Sequence, residues 1–308
     1  MYLFSKSLSW FLTHIPKVGL RGLAHLLAFL TFYIFRIRRK LILKNLVIAF
    51  PEKTYQWHLR TGYLSTYNTL MTLFEVLGTR AGELHAHVAI KNGSILEHAL
   101  QEKKGAYILC CHLGNWEVMG SKITSEYADA HIIAKNIGIK GLDRFLFERR
   151  TQNGFFPIHK KKKGESFQKI VSALKSNKIV GFAVDQSRPN SPLFPFFNTL
   201  APTNTSFTHI WEKQPAPVIP AWIKREPSGG HTIEFLDPIL MPKPPLTAQE
   251  HNQITQHIQH QVEKMIRKAP EQYFWFHNRW KKRVNSHNLQ EKSQPSEDIE
   301  TKSHAPLY

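Results

Sequence analysis

Residues 106–120 read AYILCCHLGNWEVMG. The first residues are an apolar, β-prone run of the kind that forms a buried strand, and Tyr107 to Cys111 is the segment assigned to it. The run ends in His112, after which Gly114 supplies a position free to take unusual backbone angles and Asn115 can cap a helix running from Trp116 onward. Ligands of open α/β sheets gather at the carboxyl ends of the strands, so His112 stands where chemistry is done. Glu117 lies five residues on. Residues five apart on one helix do not share a face, but a strand followed by a turn can bring them together. The pair then reads as a general base, His112, and a carboxylate that accepts from its other ring nitrogen. Free N–H groups at the helix start favour a developing oxyanion or a phosphate. A lone His near a Glu is more often structural, so the rest of the chain has to decide.

Working outward, the β-prone runs His131–Ala134, Ile179–Val184, Val218–Ile223 and Thr232–Leu236 alternate with helical patterns near Ser121, over Leu142–Arg150 and over Phe167–Leu174. That alternation predicts an α/β fold with a mixed, largely parallel twisted sheet and flanking helices. From Trp57 to Leu77 the positions Tyr63, Tyr67, Leu70, Phe74 and Leu77 recur at three and four, one face of a long helix. Near the end, Thr247 and Glu250 have capping-box spacing ahead of a stripe of Ile254, Ile258, Val262 and Met265. Lys44–Thr54 reads as a link ending at Pro51, and PLFPFF and MPKPPL read as loops. No internal repeat is evident.

The 308 residues carry 41 Lys and Arg against 23 Asp and Glu, a net charge of +18. The polar, aperiodic stretch Val284–Tyr308 contributes −2, leaving +20 on the remainder. It reads as a disordered tail. Such a body seeks an anionic partner: nucleic acid, an anionic lipid surface or a phosphorylated substrate. At the N-terminus, GLAHLLAFLTFYIF (Gly22–Phe35) precedes RIRRK (Arg36–Lys40). This apolar run is shorter than the about 20 residues of a spanning helix, so span and interfacial helix both stay open. Aromatics beside the basic cluster point to a membrane, with the basic end on the cytoplasmic side, over a buried core helix or a signal peptide. Three regions result: a membrane anchor helix with its basic flank at 1–40, a catalytic region at 41–283 and the tail at 284–308.

Cys110 and Cys111 are adjacent, point to opposite faces of a strand, and form neither a disulfide nor a thiolate zinc motif. A nucleophilic Cys111–His112 pair is the weaker alternative to base catalysis. His251, His257 and His260 lie on a polar helix pattern that reads as a solvated face more readily than as a metal site. Lys160–Lys163 is a loop charge run. It is either solvated surface or a contact for lipid phosphates or a carrier protein. YFWFHNRWKKR (Tyr273–Arg283) mixes aromatics with bases, which fits stacking on single-stranded nucleic acid or a seat in the headgroup layer.

HLGNWE resembles the HxxxxE box of glycerolipid and lysophospholipid acyltransferases. With NLVIAFPEKT, KNIGIKGLDRFLFERR, GFAVDQ, FFNTLAPT and APEQYFWFHNRWKKR in the same order, the chain up to Arg283 resembles more narrowly the bacterial lipid A biosynthesis lauroyl/myristoyl (late) acyltransferases. The resemblance implies transfer of a fatty acyl chain from acyl carrier protein to a hydroxyl of an anionic lipid A precursor of Kdo-lipid IVA type. It places the reaction on the cytoplasmic side of the bacterial inner membrane, among its lipids. No metal, cofactor or nucleic acid is implied. Carried over by position, His112 is the general base and Glu117 its partner. Asp185 matches the acidic residue of the DQ/DH segment. Lys135 stands where the family usually has Arg and keeps the charge without the two-pronged fork. Arg188 and Arg149 are candidate substitutes, and Asn115 completes the substrate-binding candidates. The resemblance also favours the headgroup seat for Tyr273–Arg283. A glycerolipid or lysophospholipid acceptor is the alternative within the enzymes. A non-enzymatic basic protein binding membrane or nucleic acid is the alternative outside them.

Overall fold

A computed structural model describes residues 1–80, 83–134, 138–159, 164–187 and 191–281. Seven strands form one sheet: β1 (Val88–Lys91), β2 (Ala106–Cys110), β3 (Ala130–Ala134), β4 (Phe155–His159), β5 (Ile179–Ala183), β8 (Val218–Arg225) and β9 (His231–Phe235), in the order β1-β9-β8-β2-β5-β3-β4. All neighbours are parallel except β8 and β9. This is the mixed, largely parallel sheet that the alternation of elements predicts.

The central strands are apolar on both faces, as parallel strands covered on both sides must be. Ala106 and Ile108 of β2 pack toward α5 (Ser94–Gln101) and α6 (Trp116–Glu126). Tyr107 and Leu109 pack toward α8 (Glu165–Lys175), α9 (Ser206–Lys213) and α10 (Ala248–Lys268). α10 starts in the expected capping box, Thr247 accepting from the Glu250 N–H while Glu250 accepts from that of Thr247.

Some elements differ from their sequence reading. PLFPFF is not a loop: β6 (Leu193–Phe196) and β7 (Thr199–Pro202) form a separate antiparallel hairpin. Its two turn residues, Phe197 and Asn198, have φ of 50° and 56°, the mirror-image turn that suits a two-residue hairpin. No glycine marks it, which hid it in the sequence. Lys44–Ala49 is the end of α3 (Arg39–Ala49), and Thr54 caps α4 (Tyr55–Gly78). β1 and β4 carry no clear alternation and were missed.

The N-terminus is two helices, α1 (Tyr2–Thr13) and α2 (Lys17–Phe29), the latter continuing as a π-turn over Leu30–Ile34. Leu12, Leu20 and Ala24 bury against Met71, Phe74 and Leu77 of α4, and Phe145 of α7 (Lys140–Gln152) joins them. Leu20, Ala24, Ala28 and Phe32, each four residues from the last, are the buried stripe. The other side exposes Leu3, Phe4, Trp10, Phe11, Val18, Leu26, Phe29, Ile34, Phe35 and Ile37. Lys17–Ile34 is, among the described residues, the one helical stretch long and apolar enough to cross a membrane.

α4 has a second, polar side that the apolar stripe does not announce. Ser65 donates to Tyr273 O, Asn68 to Glu271 O and Thr72 to Gly114 O. It thereby supports two segments that meet at the end of β2.

Candidate active site

β2 and β5 are parallel neighbours in register from Ala106↔Ile179 to Cys110↔Ala183, and Val184 N–H continues the ladder to Cys110 O. Two residues beyond each strand, at the same offset, stand His112 and Asp185. His112 Nδ1 lies 2.8 Å from Asp185 Oδ1, and the His112 backbone N–H donates to Oδ2 at 3.3 Å. The Tyr273 hydroxyl also donates to Oδ2, at 3.0 Å. Asp185 is 1% exposed while the His112 side chain keeps 22%, so the acceptor is enclosed and the ring has an open side.

This geometry fixes the tautomer. A carboxylate accepts the Nδ1 proton, so neutral His112 carries its lone pair on Nε2, where a base needs it. Burial works against charging the ring, but Asp185's charge and hydrogen bond, with Glu117 adding, outweigh it and raise the His112 pKa. Arg150 pulls the other way. Burial likewise opposes ionisation of Asp185, but the charge of His112, and then its hydrogen bonds, outweigh it and hold the carboxyl below its usual value.

The expected partner of His112 was Glu117, and here the structure differs. Glu117, in the first turn of α6, is chelated by Arg150 of α7: Arg150 Nε to Oε2 is 2.9 Å and Nη2 to Oε1 is 2.5 Å. This two-pronged pair is mostly buried. It reaches His112 through its field rather than through a hydrogen bond.

Arg149 is not at the site. Its guanidinium caps the end of α4 by donating to Val76 O, Leu77 O and Thr79 O. Phe145 is buried against α1 and α4, and Arg149, one turn on, shares that face. Arg150 is rotated toward α6. Asn115, a substrate-binding candidate, is enclosed in the fold. It is fully buried, accepts from the N–H groups of Glu117 and Val118, and donates to Glu75 Oε2 at 2.7 Å. It is the predicted helix cap and nothing more exposed. Glu75 in turn pairs with Arg225 through both oxygens. Burial pushes Glu75 up, but Arg225 and His231 outweigh it and hold it far below the carboxylate range. Lys135, Arg188, the Lys160–Lys163 run and the tail lie outside the described residues.

Gly114 has φ +63°, and a Cβ there would sit 2.1 Å from Ile223 O. Only glycine allows this close approach. The neighbouring chain is the aromatic ending: Gly114 N–H donates to Gln272 O, and Phe274 N–H to His112 O. That ending is not a headgroup belt. Trp275 and Trp280 are 1% exposed and Arg279 2%. Arg279 donates through its two terminal nitrogens to Pro202 O, Thr203 Oγ1 and Gln259 Oε1, which offsets much of the cost of burying a guanidinium. Phe274 and Trp116 instead flank the His112 ring, with centroids at 6.3 and 4.8 Å.

Cys110 and Cys111 are poor nucleophiles. Burial, with Asp185 nearby, pushes the Cys110 thiol up to about 12 and Cys111 well above its usual value, so neither offers the reactive thiolate.

The family model for bacterial lipid A biosynthesis acyltransferases matches residues 4–282. The lipid A biosynthesis palmitoleoyltransferase of Escherichia coli (strain K12) is 32% identical over 118 residues, 37% of this chain and 37% of that protein. The lipid A biosynthesis acyltransferase of Shigella flexneri matches to the same extent. The aligned stretch thus spans little more than a third of either relative, whereas the family model covers nearly the whole chain. The chain belongs to the bacterial lipid A biosynthesis acyltransferase family.

Proposed function

We propose that this protein transfers a fatty acyl chain from acyl carrier protein to a hydroxyl of a lipid A precursor of Kdo-lipid IVA type, at the cytoplasmic face of the bacterial inner membrane. The observation that carries the reading is the His112–Asp185 pair, which holds the proton on Nδ1 and leaves Nε2 as the basic nitrogen of a ring that keeps part of its surface open. His112 Nε2 takes the hydroxyl proton as the oxygen attacks the thioester carbonyl. The tetrahedral intermediate expels the carrier's thiolate, which takes the proton back from the imidazolium. Asp185 orients the ring and steadies its charge. General-base help of this kind contributes roughly 10²–10⁴ in rate.

Glu117 acts one step removed, by holding the Arg150 guanidinium in a fixed pose near His112. A guanidinium so placed suits a phosphate or the developing oxyanion. By resemblance, Lys135 and Arg188 would add phosphate contacts.

The N-terminal helices would seat the protein in the membrane plane. α2 packs along its length on α4, whose other side carries Ser65, Asn68, Thr72 and Glu75. A spanning α2 would draw those polar groups toward hydrocarbon, where they are costly. The outward face, with Trp10, Phe11, Phe29 and Phe35 beside Arg36, Arg38, Arg39 and Lys40, matches an interfacial helix.

The test is to incubate the purified full chain with acyl carrier proteins of several chain lengths and with Kdo-bearing and Kdo-free precursors, lysophospholipid and glycerol 3-phosphate, reading products by mass spectrometry. An acylated lipid A precursor is expected. Product only on the lysophospholipid or glycerol phosphate would replace the acceptor, and no dependence on His112 would remove the mechanism.

A further inference from the structure

α9 and the first turns of α10 meet at a cluster that the acyl-transfer site does not use. His209 and Glu212 are three residues apart on α9 and so share a face. His251 comes from α10. One donor atom from each lies within 4.8 Å of the other two. His251 Nε2 is 3.3 Å from Glu212 Oε2, and the two imidazole centroids are 4.2 Å apart.

The surrounding hydrogen bonds set the protons. The Thr208 hydroxyl donates to Thr205 O at 3.0 Å, so its oxygen is left to accept from His251 Nδ1, also at 3.0 Å. With the proton on Nδ1, the neutral ring turns a lone pair toward the Glu212 carboxylate. Two acceptors 3.3 Å apart need a proton or a cation between them. The other Glu212 oxygen accepts from Leu246 N–H at 2.8 Å, which fixes the carboxylate as a one-oxygen ligand. Metal–nitrogen and metal–oxygen bonds of about 2.0–2.2 Å in a tetrahedron put neighbouring ligand atoms roughly 3.4 Å apart; the His251–Glu212 pair, at 3.3 Å, has that spacing, and His209 lies within 4.8 Å of both.

We propose that His209, Glu212 and His251 bind a divalent transition metal of the Zn²⁺, Co²⁺ or Ni²⁺ class, joining α9 to α10. Two imidazoles and one carboxylate suit these ions better than Ca²⁺ or Mg²⁺, and three protein ligands leave a fourth position for water. Thr208 is the outer-shell partner that orients His251. The site braces rather than catalyses. α10 also holds the strand that delivers Asp185, through Gln259 Nε2 donating to Val184 O at 3.3 Å.

The test uses the full chain in detergent, free of any histidine tag and stripped with a chelator. Titration with Co²⁺, followed by its visible d–d absorption, and competition with Zn²⁺ should give one saturable site. Zn²⁺ at a hundredfold excess over Kd should raise Tm by about 5 °C. His209→Gln and Glu212→Gln should each weaken that site by more than the about 10–100-fold that loss of an outer-shell partner costs. His257→Gln and His260→Gln, on the same helix, should leave it intact. If Glu212→Gln fails to fold, His209→Gln, whose ring is exposed, decides alone. Absence of a saturable site would overturn the proposal and leave a protonated His251–Glu212 ion pair. Binding undiminished in His209→Gln would overturn it too, placing the metal elsewhere.

Discussion

Replacing Asp185 by Asn tests the proton geometry at the site. Oδ2 accepts from two donors, the His112 N–H and the Tyr273 O–H, while Oδ1 accepts from His112 Nδ1. An amide has one oxygen to offer. Placed at the Oδ2 position it satisfies two donors and turns its NH₂ toward Nδ1. The ring must then accept there and carry its proton on Nε2, which is no longer a base. Placed the other way, the amide leaves two buried donors facing NH₂, at about 1–3 kcal/mol each, so the first arrangement wins. The same error of tautomer in a Ser-His-Asp enzyme costs about 10⁴ in kcat. Without an acyl-enzyme to form, the fall here should be about 10²–10⁴. Loss of the carboxylate also removes the main influence raising the His112 pKa, so whatever activity remains should have its rising pH limb displaced to lower pH. The assay is acyl transfer from acyl carrier protein across mildly acid to mildly alkaline pH, with Tm measured alongside. Activity within tenfold of the parent, on an unmoved limb, would refute the reasoning.

Other expectations follow from single contacts. Glu117→Ala strands the mostly buried Arg150 guanidinium, which should cost stability toward the low end of about 3–5 kcal/mol, given its partial exposure, as well as activity; a silent variant in chemical denaturation and turnover would contradict the pairing. Arg150→Lys keeps the charge but not the fork, and should raise KM for the phosphorylated acceptor more than Arg149→Lys does. Gly114→Ala would force its Cβ onto Ile223 O, so it should lose both activity and several degrees of Tm, and an unaffected variant would show that the turn is not required. Cys110→Ala, Cys111→Ala and thiol alkylation should leave no burst-phase acyl-enzyme to lose, and abolition of turnover by Cys111→Ala would reopen the nucleophile reading. Glu75 is ionised in the fold far below the usual carboxylate range. Its contribution is therefore present above the unfolded carboxylate pKa and lost as pH falls through the lower folded one; Glu75→Gln should flatten the acid side of a Tm–pH curve.

The sheet was legible because its central strands are short, apolar and separated by helical periods. His112 was legible because it ends one of them. Its partner was not, since the choice between Glu117 and Asp185 depends on the register between β2 and β5, and a pairing 73 residues apart leaves no local trace. Arg149 and Arg150 are adjacent, and only the facing of α7, set by Phe145 against α1 and α4, tells which reaches the site. Phe145 was visible as an apolar position, so that signal was there to use. The Trp275–Trp280 segment resembled a membrane belt because composition does not distinguish rings packed inside from rings facing lipid. The buried polar side of α4 was invisible for a related reason: Ser65, Asn68 and Thr72 look like solvent-facing residues until the backbone carbonyls they bind are in place.

The proton transfer assigned to His112 is tested most directly by comparing kcat/KM of His112→Gln with that of the parent, for a saturating acyl carrier protein donor and a lipid A precursor. Folding is checked in parallel by Tm. A fall of at least about a hundredfold with Tm little changed is the result expected. Near-parental turnover by the folded variant would contradict it.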